Sequence, residues 1–254
     1  MGLELAAAQA AYMVQILAPR GHLRAAINFG NPVLAQNDPQ TDAARGVSVD
    51  LARELGRRLG VPVDLVTFDA AGKVFDALKA DAWDVAFLAI DPVRANEITF
   101  TAPYVVIEGT YLVPDDSPLR AIEDVDRAGV RMAVARGSAY DLYLTRTVKN
   151  AQLVRAATGP EAMDMFLRDG LEAAAGVKQA IAASAGEHPG LRVIPGRFMI
   201  IEQAVGIPKS RDAAAIYVRA FVEEMKACGF VARALAASGQ GDASVAPRHF
   251  VSPY

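Results

Sequence analysis

Two short stretches hold the residues best suited to chemistry. In AIDPVRANEITFTAPY, residues 89 to 104, a single arginine, Arg94, stands between a proline turn and a Thr/Phe/Pro/Tyr segment at the end of an apolar run. A guanidinium is permanently charged and offers a planar fork of donors that meets a carboxylate two bonds at a time. In VRMAVARGSAYDLYL, residues 130 to 144, an apolar strand runs into Gly137 and Ser138 and then into a helix beginning near Ala139. The first amides of a helix have no intrahelical acceptor, so such a turn can seat an anion. Each feature also has an ordinary reading. Arg94 could pair with Asp91 or Glu97 at the surface, and Ser138 could simply cap its own helix.

The elements around these stretches alternate in period. Strand-like apolar runs (LRAAINF, VPVDLVTF, DVAFLAI, VRMAVA, LEAAAGV, LRVIPG) are separated by helical patterns at residues 46–60, 70–80 and 159–170, the alternation of parallel βα units. Ligands in open α/β sheets sit outside the carboxyl ends of strands, where both stretches fall. Two further strands, VVIEGTYLVP (105–114) and FMIIEQAVGIP (198–208), are followed by no helix and are read as crossovers between two lobes. The expected organisation is a first lobe from 20–110 and 204–238, with a second lobe inserted at 112–202. Residues 1–19 form an N-terminal helix, Leu3 to Leu17, ended by Pro19. The Gly/Ser/Pro-rich tail 239–254 runs as a strap or stays disordered.

With 254 residues, 52% hydrophobic, the chain can bury a large core, and a net charge of −3 argues against a nucleic-acid or anionic-lipid surface. Cys228 has no partner for an internal disulfide. His22, His188 and His249 lack metal-ligand spacing, so no metal or cofactor is expected. The opening lacks the cationic first region of a secretory signal and is too short and interrupted to span a bilayer; the alternative is the remnant of a trimmed leader.

The order of GVSVDLARELGRRLGVPVDLV, ALKADAWDVAFLAIDPVRANEITFTAPY and VARGSAYD resembles the family 3 extracellular solute-binding proteins. These are the polar amino acid ABC transporter components with the type II periplasmic binding-protein fold. The likeness spans about residues 20 to 238 and includes Gly46 to Leu51 before the first long helix. It implies two α/β lobes joined by two crossover strands and a periplasmic protein that closes on its ligand and docks on an ABC permease. By the same resemblance Arg94 grips a carboxylate, helped by Ser138 and the amides of Ala139 and Tyr140. Asn28, Asn31, Phe87, Ala89, Ile90, Val177 and Lys178 complete the ligand wall, and Glu108, Gly109, Glu202 and Gln203 form the hinge.

Departures from the family pattern bear on the ligand. Where relatives offer an aspartate to the substrate ammonium, this chain has Val177 followed by Lys178. Asn31 and Ala71 stand where relatives carry larger apolar or aromatic groups, and Ala89 and Asp91 replace two threonines. A small carboxylate other than an ordinary α-amino acid is therefore expected, and Lys178 would either meet a second anionic group or remain solvated. Two rival readings are kept. One is a cleft enzyme of the cyclohexadienyl dehydratase type, with Asp91, Glu108 or Glu202 as general acid; the other is a cytoplasmic sensor or scavenger. Trp83 is read as packing, and Asp50 as a helix cap or lobe brace.

Overall fold

The computed structural model describes residues 11–38 and 40–248. Its strands and helices follow in chain order. Helix α1 (11–17) precedes β1 (Leu23–Asn28), the short pair β2 (Gln36–Asn37) and β3 (Ala44–Arg45), and α2 (Val47–Leu59). Next come β4 (Val63–Phe68), α3 (Ala71–Asp76), β5 (Val85–Ala89), β6 (Ile98–Phe100) and the long β7 (Val105–Pro114). Then β8 (Arg131–Ala135), α4 (Ala139–Thr147), β9 (Gln152–Ala156), α5 (Gly159–Arg168), β10 (Ala173–Val177), α6 (Lys178–Glu187) and β11 (Leu191–Val193) follow. The long β12 (Met199–Pro208), α7 (Ala215–Ala227), α8 (Phe230–Ala237) and β13 (Ser244–Val245) complete the order.

The main path through the sheet is β4-β1-β5-β12-β7-β10-β8-β9. At one end β4, β1 and β5 pair in parallel; at the other β10, β8 and β9 do the same. Between them β12 and β7 are antiparallel to each other and to the strand each meets. Two parallel trios are thus linked by one antiparallel pair, the crossovers expected at 105–114 and 198–208. This is the two-lobed α/β architecture.

Local chemistry explains the element ends. Helix α2 stops at Gly60, whose left-handed φ of 69° lets its amide reach back to the Arg57 and Gly56 carbonyls. Helix α5 starts from Thr158, whose hydroxyl accepts from the Glu161 amide, with Pro160 in its first turn. The helix expected over 70–80 is α-helical only to Asp76 and continues as a 3-10 turn over Ala77–Ala80. Trp83 is fully buried and donates from Nε1 to the Val74 carbonyl at 2.9 Å, the packing role expected of it. Asp50 makes no capping bond; it lies in the first turn of α2, near the positive end of the helix dipole.

Of the N-terminal helix expected from Leu3 to Leu17, residues 3–10 lie outside the described set; Met13 and Leu17 pack into the first lobe's core. The tail is a strap up to residue 248. Strand β13 pairs with Val105 and Val106 of β7, and buried Lys226 donates to the carbonyls of Pro103 and Pro247. No described helix is long and apolar enough to cross a membrane.

Candidate functional site

Arg94 follows β5 on a 3-10 turn, Arg94–Asn96. The strand is apolar and buried throughout, so its end delivers the arginine into the interior, where the residue is 1% exposed. The surface pairing with Asp91 or Glu97 does not form. Instead Nη1 donates to the Ala89 carbonyl at 2.9 Å and Nη2 to the Gly137 carbonyl, across the seam between the lobes, at 2.8 Å. Nε is buried without an acceptor. Desolvation lowers the guanidinium pKa to about 10, only partly countered by the Asp91 charge. Burial thus disfavours the charged form, and an anion beside the guanidinium would relieve that cost.

Opposite Arg94, Ser138 caps α4. Its hydroxyl oxygen accepts from the Asp141 amide at 3.0 Å, which leaves the hydroxyl hydrogen as a donor. Asp141 reaches back to the Gly137 amide at 2.8 Å and is held by Arg155 at 2.9 Å, so the turn is braced from both sides. The capping role and an anion seat are therefore compatible, because the Ala139 and Tyr140 amides begin the helix and lack intrahelical acceptors.

A narrow cleft between the lobes is lined by Arg94, Ser138, Ala139, Tyr140, Asn28, Asn31, Ala89 and Val177. Burial pushes the Tyr140 phenol up. Asn28 and Asn31 use their side-chain oxygens on the amides of Gly30 (2.9 Å) and Val33 (3.2 Å), which leaves the side-chain NH2 groups as donors.

Three residues expected in the wall do not line it. Phe87 is core, packed edge-on against Tyr104 at 6.1 Å. Ile90 gives its amide to the Glu202 carbonyl at 2.9 Å. Lys178 pairs with Glu108 at 2.8 Å, outside the cleft. Val177 is the last residue of β10 and lines the cleft, whereas Lys178 opens α6 and turns to Glu108.

Among the residues expected at the hinge, Gly109 pairs with Met199, and a Cβ there would strike the Phe198 and Met199 side chains at 2.9 Å. Lys178 and Arg197 hold the Glu108 carboxyl below its ordinary range. Glu202 is buried on β12, paired in register with Val106. Gln203, 4% exposed and expected at the hinge, lines the cleft.

The cleft also includes Asp69, Arg136 and Gly159, which sequence reasoning missed. The strand-end rule applied to β4 points to Asp69, and the helix-start rule applied to α5 points to Gly159. Asp69 is the one carboxylate on the cleft wall among the described residues; it is 60% exposed and pairs with Lys73 at 2.8 Å. Arg136 is exposed, with no side-chain hydrogen bond or ion pair to a described residue. Asp91 lies behind the cleft, binding Arg146 of the other lobe at 2.8 Å and the Val93 amide at 2.8 Å. Among the described residues no cluster of His, Cys, Asp and Glu is placed to hold a metal.

The same architecture recurs in solved structures. Holo ArgBP from T. maritima superposes with a TM-score of 0.71 at 22% identity, covering 83% of this chain and 92% of that one. The solute receptor for L-cysteine of Neisseria gonorrhoeae gives 0.77 at 20% identity, with 89% and 92% covered. An ancestral amino acid-binding protein, a precursor of cyclohexadienyl dehydratase, gives 0.73 at 21% identity, with 89% and 98% covered. No curated protein sequence matches the chain. The family model for bacterial extracellular solute-binding proteins, family 3, matches residues 24–237. With that match over most of its length and the two-lobed fold around the cleft, the chain belongs to the bacterial extracellular solute-binding proteins, family 3.

Proposed function

We propose that this solute-binding protein closes its lobes on a small carboxylate that carries no α-ammonium group, and that it delivers this ligand to an ABC importer from the periplasmic side. The observation that carries the reading is Arg94: cleft-lining, 1% exposed, and with a buried Nε that has no acceptor. A carboxylate between Arg94 and the start of α4 would accept from both lobes, and only the shut state supplies both sets of donors.

The ammonium side of an amino acid finds less support. The wall at Val177 is apolar, and Asp69 sits at the solvent rim, already paired with Lys73. A desolvated ammonium without a counter-charge is disfavoured by several kcal/mol, on the order of ~3–5. The expected second anion site at Lys178 is not part of this proposal, because that lysine is engaged with Glu108.

Binding is favoured over dehydration because Asp91, Glu108 and Glu202 all lie outside the cleft wall, and the carboxylate on that wall, Asp69, is solvent-exposed and paired with Lys73. A general acid needs a raised pKa, whereas that of Glu108 is lowered by Lys178 and Arg197.

The test is thermal-shift measurement with matched pairs, pyruvate against L-alanine and 2-oxoglutarate against L-glutamate. Each oxo acid should raise the melting temperature more than its amino acid, and Arg94→Gln should erase the effect. Stronger stabilisation by the amino acids, or full retention in Arg94→Gln, defeats the proposal. Prephenate consumed with release of product would move the reading to an enzyme.

A further inference from the structure

Beside the cleft the two lobes touch where neither presents a side chain. Gly72 lies in α3 of the first lobe, and Gly137 in the turn before α4 of the second. A Cβ on Gly72 would stand 2.7 Å from the Arg136 carbonyl oxygen and 3.3 Å from the Gly137 Cα. One on Gly137 would stand 2.8 Å from the Gly72 Cα. The 2.7 and 2.8 Å separations are shorter than real Cβ contacts essentially ever are, and the obstacles are main-chain atoms that cannot rotate away. The lobes therefore meet backbone to backbone.

Residues on each side of the touching pair line the cleft: Asp69, Ala70 and Ala71 before Gly72, Arg136 and Ser138 around Gly137. How closely the glycines approach thus sets how far apart these two walls stand. The Asp91–Arg146 ion pair spans the same seam at 2.8 Å, with the Asp91 side chain 4% exposed and its other oxygen fixed by the Val93 amide. The Arg94 bond to the Gly137 carbonyl is the third link. All three are made by the protein itself.

We infer that Gly72 and Gly137 form the stop at which lobe closure ends, that Asp91–Arg146 holds the lobes against it, and that the two absent side chains make the closed cleft fit short ligands. Gly72 and Arg146 are positioning residues in this scheme, neither lining the cleft. The size preference rests on the carboxylate reading above; the stop itself does not.

Gly72 is the better site for a test because it needs no left-handed φ, whereas Gly137 has φ 67°. Alanine favours a helix over glycine, so Gly72→Ala should leave the ligand-free melting temperature at or above the wild-type value. Binding should move the other way. If the wedge reduces the fully closed fraction to about a tenth, affinity for pyruvate falls roughly tenfold. In titration calorimetry across pyruvate, 2-oxobutyrate and 2-oxohexanoate, the loss should shrink as the chain lengthens. Arg146→Gln should weaken the whole series by one common factor, since it removes attraction without moving the stop.

Small-angle scattering adds a reading that needs no ligand: Gly72→Leu should have a larger radius of gyration than the wild type. Unchanged pyruvate affinity in Gly72→Ala, or an equal loss along the series, overturns the size preference. Should no oxo acid bind even the wild type, the carboxylate reading falls by itself. The stop is then judged by scattering alone, where an unchanged radius of gyration in Gly72→Leu overturns it.

Discussion

Two buried arginines in the first lobe are treated in opposite ways. Arg24, on β1 and 6% exposed, is fully engaged: Nε and Nη2 reach the two oxygens of Asp84 at 3.1 and 2.7 Å, Nη1 donates to the Asp81 carbonyl, and Arg211 joins from the far side. Its hydrogen bond to Asp84 raises the guanidinium pKa. Burial pulls the Asp84 carboxyl up, but the bonds from Arg24 and Arg211 outweigh it and leave the group below its ordinary value. Arg94, more deeply buried, has only carbonyl oxygens as partners, an idle Nε and a lowered pKa. A buried charge with a matched partner braces a fold. One without a partner keeps its electrostatic capacity for something that arrives later.

The contrast can be broken by mutation. The largest effect should come from Asp84→Ala, which strands Arg24 and should lower stability in urea unfolding by ~3–5 kcal/mol, the range for removing one member of a buried pair. Arg94→Gln should do far less to the ligand-free protein. Relief of an uncompensated desolvation offsets two lost hydrogen bonds, so stability should change by under ~1 kcal/mol. If Arg94→Gln unfolded as readily as Asp84→Ala, the two arginines would be equivalent and Arg94 would be a structural residue.

The smallest effect belongs to a partly exposed cluster. Arg57 and Arg58 hold the Glu54 carboxyl down to about 2 from an ordinary 4.5. A carboxylate depressed in the folded state contributes stability that is present above its unfolded pKa and lost as pH falls through the folded one. Glu54→Gln should therefore flatten the loss of stability between about pH 4.5 and 2, by about 1 kcal/mol after allowance for solvent screening. A loss as steep as in the wild type would assign the acid sensitivity to other carboxylates.

The sequence made most elements legible because their signals are local. The apolar run before Arg94 is β5, and the glycine at position 60 ends α2 where the helical period breaks. The two strands read as crossovers are the antiparallel pair joining the lobes, although β12, against the expectation that no helix follows it, runs through a 3-10 segment (Lys209–Ala214) straight into α7. Less visible were the short, alanine-rich α6 and α8; α7, with Val218, Phe221, Val222 and Met225 buried at i, i+3, i+4 and i+7, carries a legible helical stripe. At the site, the strand-end and helix-start rules found Arg94 and Ser138. Applied to every strand and helix, the same rules would also have reached Asp69 and Gly159.

By itself, then, the chain's order of residues determined the α/β alternation, the crossovers, and the delivery of a guanidinium and a helix start to strand ends, since each depends on a few neighbouring positions. Only the tertiary structure decided that Lys178 turns to Glu108, that Asp91 crosses to Arg146, and that Gly72 meets Gly137. These are contacts between segments distant in the chain. They follow from how two lobes pack together, and no local period or spacing encodes that distance.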